Sequence, residues 1–176
     1  MKVIIVGGGL SGLTAAAALR KYLPQDTGHA LEIKVYEKRD ASQPMGAAIS
    51  LQYNGLYVLR DIDPAIYNKV LSRGNPCKHF TFKTAGDILL GRSHLDVVPI
   101  SRQILIDCIA ESLPKDIITY KSISKVVLRQ GLMPCLEFDD GSPDETADLV
   151  IGADGLGSRL RHDIFGEDRR YHASYA

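Results

Sequence analysis

Three glycines stand at the spacing Gly-x-Gly-x-x-Gly, as Gly7, Gly9 and Gly12, directly after the apolar β-branched run 3–6. An alanine-rich stretch continues to about Tyr22, so the segment predicts a strand, a tight turn and a helix. The first glycine permits a sharp exit from the strand, the second lets a phosphate approach the backbone, and the third lets the helix pack closely. The segment predicts a dinucleotide site, and an ordinary glycine turn is the alternative.

A second strand is predicted where Leu31, Ile33 and Val35 alternate with polar residues, and it ends at Glu37. In the dinucleotide fold an acidic residue at this point accepts hydrogen bonds from both ribose hydroxyls of the adenosine half. Such hydrogen bonds contribute about 1.5 to 3 kcal/mol each when one partner is charged. We therefore expect Glu37 to bind a ribose, and a solvated carboxylate at the strand end is the alternative.

Another strand, at 97–100, passes into a helix whose first turn contains Arg102. Leu105, Ile109 and Leu113 lie four residues apart and predict the buried stripe of that helix. The helix dipole opposes a cation in the first turn by about 0.3 to 1 kcal/mol. This unfavourable position suggests a functional role beside a pyrophosphate, and a solvated arginine is the alternative.

The second glycine-rich motif follows a strand predicted as buried at 147–151 and reads Gly-Ala-Asp-Gly, with Asp154 as its acidic residue. Open α/β sheets bind ligands at the carboxyl ends of their parallel strands, which is where this carboxylate lies. Ser158 can cap the helix that follows, and Arg161 shares a helix face with it. A glycine turn with a capping serine and a surface arginine is the alternative.

The segments between these motifs predict packing elements. A polar loop ends in small residues at 46–51, which would let a flat ring approach the backbone or would form a plain turn. A short helix is predicted at 52–60, and a better marked one has Asp63 as N-cap and Gly74 at its end. Residues 79–90 predict a hairpin. Several short β-type stretches at 117–138 predict a small antiparallel crossover sheet.

The composition is that of an ordinary globular domain: 176 residues, 45% hydrophobic, with 21 basic and 21 acidic side chains. Zero net charge argues against nucleic acid or an anionic membrane as the main partner. No apolar run is long enough for a membrane span, and the N-terminus does not fit a signal peptide. Cys77, Cys108 and Cys135 are odd in number and widely spaced, which favours reduced thiols and a cytoplasmic protein.

Taken together, these motifs resemble the group A FAD-dependent aromatic hydroxylases, of the para-hydroxybenzoate and salicylate hydroxylase type, which include fungal monooxygenases of secondary metabolism. The likeness extends over nearly the whole chain, and the Gly-Ala-Asp-Gly form is its most specific part. It rests on Gly7 to Gly12 with Glu37, the Arg102-x-x-Leu105 segment, Asp154-Gly155-x-x-Ser158-x-x-Arg161, the segment 46–56 with Asn54, and the run 140–150.

The resemblance implies an α/β fold: a Rossmann-like FAD-binding domain of the glutathione-reductase type over residues 1–176, with a parallel sheet and the small crossover sheet. It implies FAD as cofactor, NADPH or NADH as reductant, and hydroxylation or epoxidation of a small organic substrate by O2 through a flavin C4a-hydroperoxide. It assigns no catalytic acid, base or nucleophile. The cofactor-binding residues that it implies are Gly7, Gly9, Leu10, Ser11, Gly12, Glu37, Lys38, Gly46, Ala47, Arg102, Asp154, Gly155 and Arg161.

Members of that family continue well past this length, through a substrate-binding sheet and a third flavin motif. We therefore expect the remaining part to be missing by truncation or to lie on another chain. We also expect this segment alone to bind FAD weakly or not at all and not to turn over. Two alternatives stay open: an NAD(P)-dependent dehydrogenase or reductase, and a non-catalytic FAD-domain remnant that acts as a binding module. The histidines lack the spacing of metal ligands, and no Gly-x-Ser-x-Gly nucleophile motif occurs.

Overall fold

The computed structural model describes residues 1–23, 30–39 and 47–166. The chain divides into two compact units. The first unit consists of Met1–Gln43 together with Leu113–Ala176, and the second consists of Pro44–Ser112. The second unit is thus an insertion, in sequence, between the two segments of the first.

Fifteen helices and strands are found in the described part of the chain. The strands are β1 (Lys2–Val6), β2 (Glu32–Glu37), β3 (Ala48–Gln52), β4 (Cys77–Lys83), β5 (Leu89–Ser101), β6 (Ile118–Tyr120), β7 (Ile123–Val127), β8 (Cys135–Phe138), β9 (Glu145–Thr146) and β10 (Leu149–Gly152). The helices are α1 (Leu10–Tyr22), α2 (Tyr53–Ile62), α3 (Pro64–Arg73), α4 (Arg102–Ala110) and α5 (Arg159–Phe165).

A parallel sheet of order β10-β1-β2-β6 forms the centre of the first unit. Strand β1 pairs in parallel with β10 on one side and with β2 on the other. Its last residue, Val6, lies opposite Gly152 of β10 and Tyr36 of β2. The carboxyl ends of these three strands are therefore neighbours at one edge of the sheet. The predicted α/β fold with a parallel sheet is confirmed.

The apolar residues of β1 account for its central position. Val3, Ile4 and Ile5 are all completely buried, and Leu13 and Ala16 of α1 are buried as well. Burying an aliphatic side chain of this size contributes about 1.5 to 3 kcal/mol, so this strand carries much of the core energy of the unit. Helix α1 ends where the sequence predicts.

An antiparallel sheet of order β7-β8-β9 forms the second layer of the first unit. Its buried residues Val126, Leu136 and Phe138 form one hydrophobic cluster with Ile4 and Tyr36 of the parallel sheet. The prediction of an antiparallel crossover sheet is confirmed for β7 and β8.

The same prediction is wrong for β6, which pairs in parallel with β2. The Val35 N–H donates to the Ile117 carbonyl oxygen at 2.8 Å, and Val35 lies opposite Ile118. Strand β6 has only three residues, so no alternation of apolar and polar side chains distinguishes its two possible partners. The position of β6 is set by its backbone pairing with the free edge of β2.

Strand β10 begins later than predicted and is not fully buried. Leu149 is 44% exposed, because β10 is an edge strand of the described sheet. Ala147, which was expected in this strand, lies before it and is buried in the cluster shared with the crossover sheet.

Glu145 of β9 connects the crossover sheet to the parallel sheet. Its carboxylate accepts hydrogen bonds from Lys2 Nζ at 2.6 Å, from Lys34 Nζ at 2.7 Å and from the Tyr36 hydroxyl. Burial by itself would raise the pKa of Glu145, but these three hydrogen bonds lower the pKa to about 2. Burial and the hydrogen bond to Glu145 raise the pKa of Tyr36. The Glu145 cluster therefore needs the ionised carboxylate.

We expect Glu145→Gln to lower the free energy of unfolding by about 2 to 3 kcal/mol at neutral pH. The pKa of Glu145 is lowered from its ordinary 4.5 to about 2, so its contribution is complete above 4.5 and is lost as the pH falls towards 2. Urea unfolding across this acid range should therefore show a shallower loss of stability in Glu145→Gln than in the wild type.

Glu137→Gln, on the neighbouring strand β8, is the matched control, because it removes a carboxylate outside the Glu145 cluster. It should lower the free energy of unfolding at neutral pH much less than Glu145→Gln does. If the free energy of unfolding of Glu145→Gln fell as steeply with decreasing pH as that of the wild type, the ionised Glu145 carboxylate would not have the stabilising role that we infer.

The second unit contains an antiparallel sheet of order β3-β5-β4. The predicted hairpin at 79–90 is confirmed as β4 and β5, but β5 is longer than expected and continues to Ser101. The predicted loop at 46–51 is wrong for residues 48–51, which lie in β3 and pair with β5. Side-chain size in this segment gives no sign of a strand. Strand β3 forms because its backbone pairs with β5.

The helices of the second unit follow their sequence signals. Asp63 caps α3 by accepting a hydrogen bond from the Ala65 N–H at 2.8 Å, and Gly74 is the C-cap residue. In α4, Leu105 and Ile109 are buried as predicted. Leu113 is also buried, although α4 ends before it, at Ala110.

All three cysteines are free, and Cys108 is buried. Burial raises the pKa of the Cys108 thiol, so this sulfur stays protonated and unreactive. Within residues 1–23, 30–39 and 47–166, no helix has the length and apolar character needed to cross a membrane.

Candidate functional site

Two glycine turns meet at the carboxyl ends of β1 and β10. The Ala153 N–H donates to the Val6 carbonyl oxygen at 2.7 Å, and the Gly7 N–H donates to the Tyr36 carbonyl oxygen at 2.7 Å. Each turn thus continues the hydrogen bonding of the parallel sheet by one residue. The two motifs singled out in the sequence stand near opposite ends of the chain and are adjacent in the fold.

Gly7 and Gly12 are glycines because no side chain fits at either position. Gly7 has a φ of +111°, and a Cβ there would lie 2.4 Å from the Ala153 carbonyl oxygen. A Cβ at Gly12 would lie 1.9 Å from the Gly7 carbonyl oxygen and 3.3 Å from Ile5 Cγ2. The close approach of β1, α1 and the turn after β10 therefore depends on both glycines.

Among the residues that the structure describes, no side chain caps the first turn of α1. Gly9 is the N-cap residue, so no side chain caps the helix, and the first turn contains no acidic residue. Leu10 and Ser11 are its first two residues, and Ser11 is exposed. Free N–H groups and the positive end of the helix dipole favour an anion at this position.

Glu37 lies at the end of β2 and faces the glycine turn of β1. Its Oε2 accepts a hydrogen bond from the Gly8 N–H at 2.7 Å, and its Oε1 accepts one from the Arg39 N–H at 2.9 Å. A carboxylate offers about four acceptor positions, so after these two contacts with described residues two remain available for hydroxyl groups. Glu37 is thus fixed beside the turn and can still accept hydrogen bonds from a ribose.

The contact between Gly8 and Glu37 was not predicted from the sequence. A Cβ at Gly8 would lie 2.9 Å from Glu37 Cβ, so the small residue makes room for the Glu37 side chain. The run of three consecutive glycines at 7–9 was the available signal, because the motif itself requires only the first and the third.

In the second turn, Asp154 and Ser158 both cap α5. Asp154 Oδ2 accepts hydrogen bonds from the Arg159 N–H at 2.7 Å and the Leu160 N–H at 3.3 Å. Ser158 Oγ accepts one from the Arg161 N–H at 3.0 Å, as the sequence predicts. Gly155 has a φ of +83°, which favours glycine. The Asp154 carboxylate therefore fixes the turn and keeps its other oxygen free of the helix.

Two arginines hold this turn in place. The Arg161 guanidinium donates to the Leu156 carbonyl oxygen at 2.7 Å, within the turn itself. The Arg159 guanidinium donates to the carbonyl oxygens of Ile123 at 3.1 Å and Ser124 at 3.3 Å in the crossover sheet. Sequence reasoning missed Arg159, since nothing in the local pattern indicates that it reaches β7.

Arg102 and Ala47 belong to the second unit. The Arg102 N–H donates to the Ala47 carbonyl oxygen at 2.9 Å, and Arg102 is the first residue of α4, as predicted. Its Nε is buried and meets no acceptor among the residues that the structure describes. A buried guanidinium nitrogen without an acceptor is the kind of group that binds an anionic ligand.

The other predicted site residues are placed as follows. Lys38 is exposed directly after β2. Gly46 lies outside the described residues. The structure thus brings together, within the first unit, the predicted site residues that follow β1, β2 and β10. Arg102 and Ala47 lie in the second unit.

Comparison with known proteins matches residues 5–75 to a family described as NAD(P)-binding Rossmann-like domain. The chain is 28% identical to 6-hydroxynicotinate 3-monooxygenase of Pseudomonas fluorescens, over 99% of this chain and 46% of that protein. It is 29% identical to FAD-dependent urate hydroxylase of Mycolicibacterium vanbaalenii, over 97% of this chain and 44% of that protein. The chain is a homologue of FAD-dependent monooxygenases.

A solved structure extends the same likeness to the fold. The 2,6-dihydroxypyridine-3-hydroxylase of Arthrobacter nicotinovorans superposes with a TM-score of 0.74 at 25% identity, over 97% of this chain and 41% of that one. The resemblance inferred from the motifs is therefore confirmed. The chain spans less than half the length of these monooxygenases.

Proposed function

We propose that residues 1–176 are the FAD-binding part of an NAD(P)H-dependent flavoprotein monooxygenase. The whole protein would hydroxylate or epoxidise a small organic substrate with O2, in the cytoplasm. The names of the relatives favour hydroxylation of an aromatic ring.

The contact between the two glycine turns is the observation that carries this proposal. A Rossmann dehydrogenase needs only the turn after β1 and an acidic residue after β2. Here a second turn, with Asp154 and Gly155, lies against the first so closely that a Cβ at Gly7 would overlap Ala153. A nicotinamide dehydrogenase would not need this second turn. The similarity to the FAD-dependent homologues extends over a stretch of the chain that contains both turns.

The ADP half of FAD fits the groups present in the first unit. The uncapped first turn of α1 would hold the pyrophosphate, and the two remaining acceptor positions of Glu37 would hold the ribose hydroxyls. In this proposal the ADP-binding residues are Gly7, Gly9, Leu10, Ser11, Gly12, Glu37 and Lys38.

The flavin side would be held by the remaining predicted residues. We assign Arg102 to a phosphate of the cofactor because its Nε is buried without an acceptor among the described residues. Gly46 and Ala47 would lie near the flavin, and Asp154, Gly155 and Arg161 would serve both FAD and the nicotinamide reductant. Bound FAD would supply electron transfer and oxygen activation, and this chain would orient it and exclude water.

We expect Glu37→Gln to weaken FAD binding by about tenfold or more, because a hydrogen bond to a charged group contributes about 1.5 to 3 kcal/mol. The chain should be titrated with FAD, ADP and NADH while the amide resonances of residues 7–12 are followed by NMR. In the wild type we expect weak binding of FAD and ADP at these amides, and no oxidation of NADH.

Glu32→Gln, at the other end of β2, is the matched control and should leave FAD binding unchanged. Tighter binding of NADH than of FAD, with hydride transfer by the chain alone, would favour the dehydrogenase alternative and overturn the proposal. Equal binding by Glu37→Gln and the wild type would contradict the ribose role of Glu37. Tight flavin retention with substrate-dependent NAD(P)H oxidation would contradict the expected inactivity of these residues alone.

A further inference from the structure

Two histidines face each other across the β4–β5 hairpin of the second unit. His79 of β4 lies directly opposite His94 of β5 in the register. Their ring centroids are 5.1 Å apart with an angle of 70° between the ring planes, and both side chains are exposed. The pair has no part in the proposed flavin site.

The two rings meet edge to face, at a separation that two imidazoles bound to one zinc ion can also have. A zinc–nitrogen distance of about 2.0–2.1 Å places each imidazole centroid about 3.2 Å from the metal, so two rings at the tetrahedral angle lie about 5.2 Å apart. The 5.1 Å between His79 and His94 is therefore compatible with a shared tetrahedral ion once the exposed rings turn their nitrogens towards it.

We propose that His79 and His94 bind one Zn²⁺ ion as a cross-strand pair, with water in the other positions. Among the described residues, no group of three or more His, Cys, Asp and Glu side chains meets to hold a metal, so protein supplies two ligands. Cys77 is not a ligand in this proposal, because it lies opposite Val97 and its Sγ donates to the His79 carbonyl oxygen at 3.3 Å.

The surroundings of the pair permit a cation. Arg92 and Asp96 stand two residues before and two residues after His94, so their opposite charges largely offset each other. Exposed imidazoles can turn their nitrogens towards one metal without displacing any core side chain. Since the ion would bind the folded hairpin and join its two strands, it would stabilise the second unit.

The experiment is a titration of the untagged chain, freed of metal with a chelator, with ZnCl2. Calorimetry should show one Zn²⁺ per chain, and zinc should raise the melting temperature. His79→Ala and His94→Ala should each weaken zinc binding at least about tenfold, a loss of about 1.4 kcal/mol. They should also abolish the rise in melting temperature. Both side chains are exposed, so circular dichroism should show that both variants fold.

His162→Ala on α5 is the matched control, since this histidine is also exposed, and it should retain zinc binding. Zinc binding that is unchanged in both His79→Ala and His94→Ala would overturn the proposal. Loss of binding in Cys77→Ser, to the same extent as in His79→Ala, would also overturn it, because the sulfur would then be a ligand. FAD binding is independent of these outcomes, so the flavin proposal is tested separately.

Discussion

Gly12→Ala should destabilise the first unit by about 3 kcal/mol or more and abolish FAD binding. A Cβ at Gly12 would lie 1.9 Å from the Gly7 carbonyl oxygen, which is backbone and cannot rotate away as a side chain would. Helix α1 would have to move off β1, and both the buried contacts of Leu13 and the anion-binding turn would be lost. Urea unfolding followed by circular dichroism measures the first effect, and the FAD titration measures the second.

Gly55→Ala is the control for this substitution, because Gly55 also lies in the first turns of a helix. Among the described residues, a Cβ there would meet only Leu51 Cδ2, at 3.6 Å, which is an ordinary contact. Alanine is the better helix former, so we expect Gly55→Ala to be neutral or to stabilise by up to about 1 kcal/mol. Equal stability of Gly12→Ala and the wild type would contradict the close packing of α1 on the turn.

Gly7→Ala should cost about 3 kcal/mol, from two separate causes. The φ of +111° is strained for any residue with a Cβ, at about 1 to 3 kcal/mol. In addition, the new Cβ would lie 2.4 Å from the Ala153 carbonyl oxygen and would push the two glycine turns apart. We therefore expect weaker FAD binding together with the lower free energy of unfolding.

Gly131→Ala separates these two causes. Gly131 has a φ of +77° in the loop between β7 and β8, but a Cβ there would have no atom of the described residues within 4 Å. Its cost should be about 1 to 2 kcal/mol, from backbone strain alone, and FAD binding should not change. If Gly7→Ala and Gly131→Ala were equally destabilising, the contact between the two turns would add nothing to stability.

Local sequence predicted the elements that hold the site. Glycine, proline and capping residues correctly predicted the positions of α1, α3 and the turn before α5. These start and stop signals act over a few neighbouring residues, so the sequence alone is enough to place them. The role of Ser158 as N-cap follows the same logic and is confirmed at 3.0 Å. The ligand contacts assigned to Glu37, Arg102 and Asp154 stay predictions.

Where local sequence failed, partners distant in the chain decided the outcome. Strand β6 pairs with β2 and strand β3 pairs with β5, and neither strand has an alternation strong enough to predict its partner. The same holds for Glu145, whose lowered pKa depends on Lys2 and Lys34, more than 100 residues away. A single strand-end glutamate in the sequence gives no sign of this cluster.

The sequence by itself determined that this chain has two strand–glycine–helix units, an acidic residue after the second strand, and the likeness to FAD-dependent monooxygenases. These features are local, since each depends on the φ angles, caps and side-chain sizes of adjacent residues. Only the tertiary structure decided that the turns at Gly7 and Ala153 contact each other. That contact depends on the parallel pairing of β1 with β10, two strands separated by most of the chain.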